Sequence, residues 1–95
     1  MNLILLADEI ADVRLRVADA VKDVTLDEYQ QNAFMFISKR LEEMETECRT
    51  GKLKAANLRY PELARIAVET DPVILPADLG GDIMDVEKKY QEARN

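Results

Sequence analysis

The fold is decided by residues 3–29, which read LILLADEIADVRLRVADAVKDVTLDEY. Apolar residues recur in this stretch at alternating spacings of three and four, which places them along one side of an α-helix. They are Leu3, Leu6, Ile10, Val13, Val17, Ala20 and Val24. Four aspartates lie on the opposite side, within roughly 60° of one another at about 100° per residue. They are Asp8, Asp12, Asp19 and Asp23. The pattern predicts an amphipathic helix over about residues 3–23, with Asn2 as its N-cap and an acidic ridge about 22 Å long.

A signal for the start of a second helix follows directly. The sequence Thr25-Leu26-Asp27-Glu28 has the form of a capping box, with Thr25 as the N-cap and Glu28 as the third helical residue. Val24 and Tyr29 stand where a hydrophobic staple would close over this cap. Because the connection is so short, we expect the first two helices to form an antiparallel hairpin.

The second helix is predicted to run from about Leu26 to Thr50, with Gly51 as the residue that ends it. Its core stripe consists of Leu26, Tyr29, Ala33, Ile37, Leu41, Met44 and Cys48. Phe34 and Phe36 flank the stripe, while Met35 points away from it, so the run 33–37 is apolar on every side. We expect this run to be covered by the rest of the protein. The alternative is an exposed apolar patch that binds a partner.

The remaining residues predict two more helices. One begins at Pro61, packs through Leu63, Ile66, Ala67 and Thr70, and ends at Asp71-Pro72. Residues 52–60 suit either a short helix or a loop, and Val73-Ile74-Leu75 suits an extended connection. Gly80-Gly81 is interpreted as a flexible turn, after which Asp82 is the N-cap of the last helix. The sequence thus predicts a single domain over residues 1–95, all-α, as a compact bundle of about four helices built on the antiparallel hairpin.

Composition favours the same class and indicates a compartment. The chain is 47% hydrophobic and has three Gly and three Pro, too few for a turn-rich β-sandwich. The single Cys48 cannot form an internal disulfide, which suits a reducing compartment. Asp8 and Glu9 interrupt the first apolar run, which is therefore neither a signal peptide nor a membrane span. A cytoplasmic protein with no membrane partner is expected.

The sequence carries no recognisable catalytic, cofactor or metal site. Histidine is absent, which removes the commonest general base and the commonest zinc ligand. Cys48 lies on a core stripe, so we expect a buried, unreactive thiol. Gly80-Gly81 lacks the pattern of a phosphate-binding loop, and the acidic residues around Asp82 lack the spacing of an EF-hand. We expect a protein that is not an enzyme and holds no cofactor.

Charge is the remaining lead to function. The net charge is −6, which disfavours nucleic acid and favours a basic protein partner. We expect a non-catalytic protein-binding module, most specifically an inhibitor of the immunity or antitoxin type that neutralises a basic bacterial toxin such as a nuclease. The residues expected to contact the partner are Asp8, Asp12, Asp19 and Asp23, and after them Glu42, Glu43, Glu45 and Glu47. The alternative is a small assembly subunit or adaptor that engages another helix through an apolar face around Phe34, Met35 and Phe36, or through spare heptad positions of the first helix.

Overall fold

A computed structural model describes residues 2–22, 24–53 and 77–94. These residues form three α-helices: α1 (Leu3–Ala20), α2 (Glu28–Thr50) and α3 (Ala77–Arg94). The described part of the chain contains no strand, so the all-α prediction is confirmed. The radius of gyration is 13.0 Å, close to the value of about 13 Å for a compact domain of 100 residues. The helix predicted to begin at Pro61 and the extended connection at 73–75 lie outside the described residues.

The first helix, α1, begins as predicted and ends earlier. The side-chain oxygen of Asn2 accepts hydrogen bonds from the backbone N–H groups of Ile4 and Leu5, at 3.0 and 3.3 Å. The helix ends at Ala20 rather than at Asp23. The backbone N–H of Lys22 donates to the carbonyl of Asp19, three residues earlier, whereas an α-helical hydrogen bond would reach four residues back. Val21 and Lys22 form a turn and do not continue the helix, so the predicted continuation to Asp23 is wrong.

The second helix, α2, is capped two residues later than predicted. Asp27 is the N-cap: its carboxylate accepts from the backbone N–H of Gln30 at 2.7 Å, and the Gln30 side chain accepts from the N–H of Asp27 at 3.0 Å. The predicted box of Thr25 and Glu28 is therefore wrong, although Asp27 and Gln30 have the same spacing. An aspartate N-cap also places a negative charge at the positive end of the helix dipole. Gly51 ends the helix at φ 69°, as predicted.

The buried core consists largely of the predicted stripes of α1 and α2, with exceptions at one end of α2, and of four side chains of α3. Its buried members are Leu6, Ala7, Ile10, Val13, Val17, Ile37, Leu41, Met44, Cys48, Leu79, Ile83, Val86 and Tyr90. Phe34 is partly buried against this cluster. Tyr29, Met35 and Phe36 are 73%, 64% and 39% exposed, so the predictions that Tyr29 belongs to the core and that the run 33–37 is covered are wrong for these side chains. Met35 lies on the side of α2 away from its buried stripe, where the described helices do not reach it.

The last helix, α3, begins at Ala77 and continues through Gly80-Gly81 without interruption. The prediction that the glycine pair is a turn and Asp82 an N-cap is therefore wrong. The reason is the spacing of the buried residues, since Leu79, Ile83 and Val86 follow one another at intervals of four and three across the glycines. Burial of these side chains offsets the cost of about 1 kcal/mol that a glycine carries inside a helix. In the described chain, α1 packs against both α2 and α3.

Candidate functional site

One side of α1 faces solvent along the whole helix, and we call it the outer face. It spans an arc of roughly 100° and about 22 Å of helix length. Its large side chains are three aliphatic and three acidic residues, all exposed: Ile4, Leu5, Asp8, Asp12, Leu15 and Asp19. The aliphatic side chains of Ile4, Leu5 and Leu15 are 50%, 61% and 61% exposed. These six side chains combine apolar surface with negative charge, and none of them is basic.

Two of the predicted aspartates also bind cations of the protein itself. Asp8 lies 3.1 Å from the Arg49 guanidinium of α2, and Asp12 lies 3.8 Å from Arg16 on the next turn of α1. The side chains of Asp8 and Asp12 nevertheless remain 61% and 70% exposed. Asp19 is exposed as well, whereas Asp23 lies outside the described residues. The structure thus places Asp8, Asp12 and Asp19 on one accessible surface.

A groove of about 560 Å³ separates the outer face from α3. It is lined by Leu5, Asp8, Glu9, Asp12, Val13, Arg16, Asp82, Asp85, Val86 and Lys89. Five of these residues are acidic and two are basic, so the described lining of the groove carries a net charge of −3. Two ion pairs cross it: Arg16 to Asp82 at 2.6 Å, and Lys89 to Glu9 at 2.9 Å. The hydrogen bond to Glu9 raises the pKa of Lys89.

The sequence did not predict that Glu9 of α1 shares a surface with Asp82 and Asp85 of α3. The signal was present, because Asp82, Asp85 and Lys89 follow one another at spacings of three and four and therefore share one side of a helix. Interpreting Asp82 as an N-cap placed it at the end of a helix instead. Once α3 begins at Ala77, Asp82 stands in the second turn and reaches Arg16 across the groove.

The four glutamates predicted as a second contact group do not form one surface. Glu45 points toward α1 and accepts hydrogen bonds from Arg14, at 3.1 and 3.2 Å, and from Arg49, at 2.8 Å. Burial acts to raise the pKa of Glu45, but the hydrogen bonds from the two arginines outweigh it and the pKa is lowered. Glu47 is only 8% exposed and lies 3.9 Å from Arg40.

Glu42 and Glu43 are the exposed members of that group. With Lys39, Thr46 and Glu47 they line a shallow hollow of about 430 Å³ on α2. Glu43 accepts a long hydrogen bond of 3.5 Å from Arg40, one turn away. A partner would therefore reach Glu42 and Glu43 more readily than Glu45 or Glu47.

The groups that commonly perform chemistry are not assembled in the described part of the chain. Cys48 is 1% exposed, and burial raises the pKa of its thiol, which opposes formation of the nucleophilic thiolate. Residues 2–22, 24–53 and 77–94 contain no group of three or more acidic or cysteine side chains placed to hold a metal ion. None of the helices described for this chain combines the length and apolarity needed to cross a membrane.

Comparison of the chain with protein-family models, with characterised proteins and with solved structures gives no match in any of the three cases.

Proposed function

We propose that this chain is a non-catalytic protein-binding module that holds a basic protein partner against the outer face of α1. Its most specific form is an inhibitor of the immunity or antitoxin type, which neutralises a basic toxin such as a nuclease. One observation carries the proposal: three carboxylates and three large aliphatic side chains are exposed together on one side of a single helix. Aliphatic side chains exposed along one helix beside charged residues are typical of an apolar patch with a polar rim, the kind of surface that binds another protein.

The outer face is supported by a well-fixed helix. Two ion pairs connect α1 to α2, Asp8 to Arg49 and Arg14 to Glu45. The two ion pairs across the groove connect α1 to α3. The N-cap at Asn2 fixes the first turn. A surface that is already ordered loses less conformational entropy on binding, so more of the contact energy is retained as affinity.

The order of these ion pairs also supports the predicted hairpin. Asp8, early in α1, pairs with Arg49 near the end of α2, whereas Arg14 pairs with the earlier Glu45. Positions that advance along α1 thus meet positions that recede along α2. We infer that α1 and α2 run antiparallel, and that they form the base of a bundle of about four helices.

Electrostatics favours a basic partner in particular. The described lining of the groove beside the outer face has a net charge of −3, and the whole chain −6. Fields of this kind accelerate the encounter with a positively charged protein and repel nucleic acid. An enzyme that cuts nucleic acid has a basic cleft for phosphates, and carboxylates along a rigid helix are suited to occupy it.

The experiment begins by capturing the partner. The tagged chain is used as bait in its source cells, the captured protein is identified by mass spectrometry, and the two purified proteins are studied by surface plasmon resonance. Reversing both charges in Asp12→Lys/Asp19→Lys should lower the association rate at low salt by about tenfold and flatten its dependence on salt. The matched control is Glu42→Lys/Glu43→Lys, which reverses two exposed charges on α2.

Each result has a definite meaning. A slower association of the α1 variant alone supports the proposal, and a slower association of the α2 variant alone moves the interface to the second predicted group. If neither pair of reversals changes the rate, an acidic helical surface is not what binds the partner. Turnover of a small substrate by the purified chain would also contradict the proposal.

A second candidate function rests on a different surface. Tyr29 and Phe36 are seven positions apart, share one side of α2 and are both exposed, and the exposed Met35 lies next to Phe36, about 100° farther around the helix. This surface favours an assembly subunit or adaptor that binds an apolar partner, the role first considered for Phe34, Met35 and Phe36. Binding through it would scarcely respond to salt, which distinguishes it from binding through the aspartates of α1.

A further inference from the structure

We propose that the outer face of α1 receives an amphipathic helix of the partner, whose aliphatic side chains pack among those of α1 and whose Lys or Arg side chains lie beside the aspartates. The inference rests on the proposed function and specifies the part of the partner that is recognised. It also differs from phosphate mimicry alone, because an acidic surface that only occupied a phosphate-binding cleft would need no aliphatic residues.

Four aliphatic residues form a track along one side of α1. Ile4, Ala11, Leu15 and Ala18 follow one another at spacings of seven, four and three, which keeps them on one side of the helix. Ile4 and Leu15 stand about three turns apart, and both are at least half exposed. The small alanines between and after them leave space in which side chains of a second helix can fit, as in the ridge-and-groove packing of two helices. Helices that bind in this way present apolar anchors at the same spacings.

The charges beside this track indicate a cationic partner. Asp8, Asp12 and Asp19 are displaced from the track toward the groove and repeat at spacings of four and seven. Arg49 of α2 lies 3.1 Å from Asp8, and Arg16 lies 3.8 Å from Asp12 and 2.6 Å from Asp82, yet the side chains of Asp8 and Asp12 remain 61% and 70% exposed. An incoming helix with Lys or Arg on one flank would therefore meet three exposed carboxylates.

The same charges disfavour a second copy of this chain as the occupant. A symmetric pair of α1 helices would place the aspartates of one copy close to those of the other, and each copy carries a net charge of −6. An anionic membrane surface would be repelled for the same reason. A basic amphipathic helix satisfies both the apolar track and the acidic edge.

The test uses synthetic peptides as probes of the full chain. A fluorescein-labelled peptide of about 18 residues, long enough at about 1.5 Å per residue to span the outer face, carries Leu along one side and Lys along the flanks. A scrambled peptide of identical composition lacks the amphipathic pattern. Binding is measured by fluorescence anisotropy for the unmodified chain and for the variants Leu15→Gln and Asp12→Asn. The matched controls are Met35→Gln and Glu42→Gln, which change an equally exposed Met and an exposed Glu on the opposite side of α2.

The expected result is tighter binding of the amphipathic peptide than of the scrambled one. Leu15→Gln should weaken that binding about tenfold, the change that loss of one buried Leu contact produces. Asp12→Asn should weaken it about threefold at low salt and have no effect at about 500 mM salt. The two α2 variants should bind like the unmodified chain.

Three outcomes would overturn the inference. The first is equal binding of the two peptides with no effect of Leu15→Gln, which would leave a purely electrostatic surface. The second is no binding of either peptide to the unmodified chain. The third is a dimer of the unmodified chain, seen by light scattering, that Leu15→Gln converts to a monomer. None of these decides the proposed function, which fails separately if the Asp12→Lys/Asp19→Lys variant associates with the captured partner at an unchanged rate.

Discussion

Replacing Gly81 by Ala should stabilise the protein, and the size of the effect follows from the position of Gly81 in α3. The helix begins at Ala77, so Gly81 is its fifth residue and lies in the helix interior. A Cβ atom added there would meet no heavy atom within 4 Å, and the residue is exposed. Only the intrinsic preference of the backbone changes, and Ala is favoured over Gly inside a helix by about 0.8–1.0 kcal/mol. For a domain of this size, that raises the melting temperature by about 4–8 °C.

The assay is thermal and urea unfolding followed by circular dichroism, and Gly51→Ala is the matched control. Gly51 is also surrounded by open space, but its φ of 69° lies in the left-handed region. Ala at that position should therefore destabilise the protein by about 1 kcal/mol, the opposite sign from Gly81→Ala. If Gly81→Ala lowers the melting temperature or leaves it unchanged, the glycine pair is a turn and α3 begins near Asp82. The position of the acidic side chains along the groove would then have to be revised.

Three further measurements test the cap, the core and the ion-pair network. Asp27→Ala should lower the free energy of unfolding by about 1 kcal/mol, whereas Thr25→Ala should change it by less than about 0.5 kcal/mol; urea titrations that give the reverse order would restore the earlier cap. Leu41 is fully buried, so Leu41→Ala should cost about 2–5 kcal/mol in the same titrations, and a cost below about 1 kcal/mol would place it outside the core. The pKa of Glu45 is lowered below its ordinary value of 4.5. The stability from its ionised form is therefore present above about pH 4.5 and is lost as the pH falls through the lowered pKa. Unfolding measured between about pH 5 and 3 should show a shallower loss of stability in Glu45→Gln, and an unchanged slope would mean that the arginines do not favour the carboxylate.

The sequence predicted the fold correctly where only one physical signal was present and no other signal competed with it. The stripe Leu6, Ile10, Val13 and Val17 has one helical period and no breaker, so burial and local preference favour the same structure. The prediction of the α2 N-cap was wrong because two overlapping capping-box patterns, one beginning at Thr25 and one at Asp27, have the same spacing. Only the box at Thr25 was predicted, whereas the structure uses the box at Asp27.

At α3, local and tertiary signals disagree. Gly80-Gly81 has a poor local preference for helix, and an aspartate after a glycine pair is typical of an N-cap. The buried side chains Leu79 and Ile83 favour one continuous helix, and their packing prevails. Propensity is a weak guide when several apolar side chains are buried across the unfavourable residues. Giving the spacing of Leu79 and Ile83 precedence over the glycines would have found the correct start.

The sequence predicted which side of α1 the aspartates occupy, but it did not predict which carboxylates pair with arginines of the protein itself. Periodicity alone places Asp8, Asp12 and Asp19 on one side of α1, and the structure exposes all three. Periodicity does not show which carboxylates the protein uses for itself, because that depends on contacts between helices. Glu45 is the clearest case, since it lies beside exposed glutamates in sequence and yet binds two arginines at the junction of α1 and α2.

The aliphatic and the acidic side chains of the outer face require one common explanation. Solubility accounts for exposed aspartates, which are common on acidic proteins. It does not account for Ile4, Leu5 and Leu15, which leave half or more of their surface in water. Core packing accounts for aliphatic residues only where they are buried, and these are 50–61% exposed. The proposed partner, which is both cationic and apolar, would explain both sets of residues at once, because it would cover the aliphatic side chains and pair with the carboxylates. A substitution at Leu15 that weakens binding and leaves the free energy of unfolding unchanged would separate this role from a structural one.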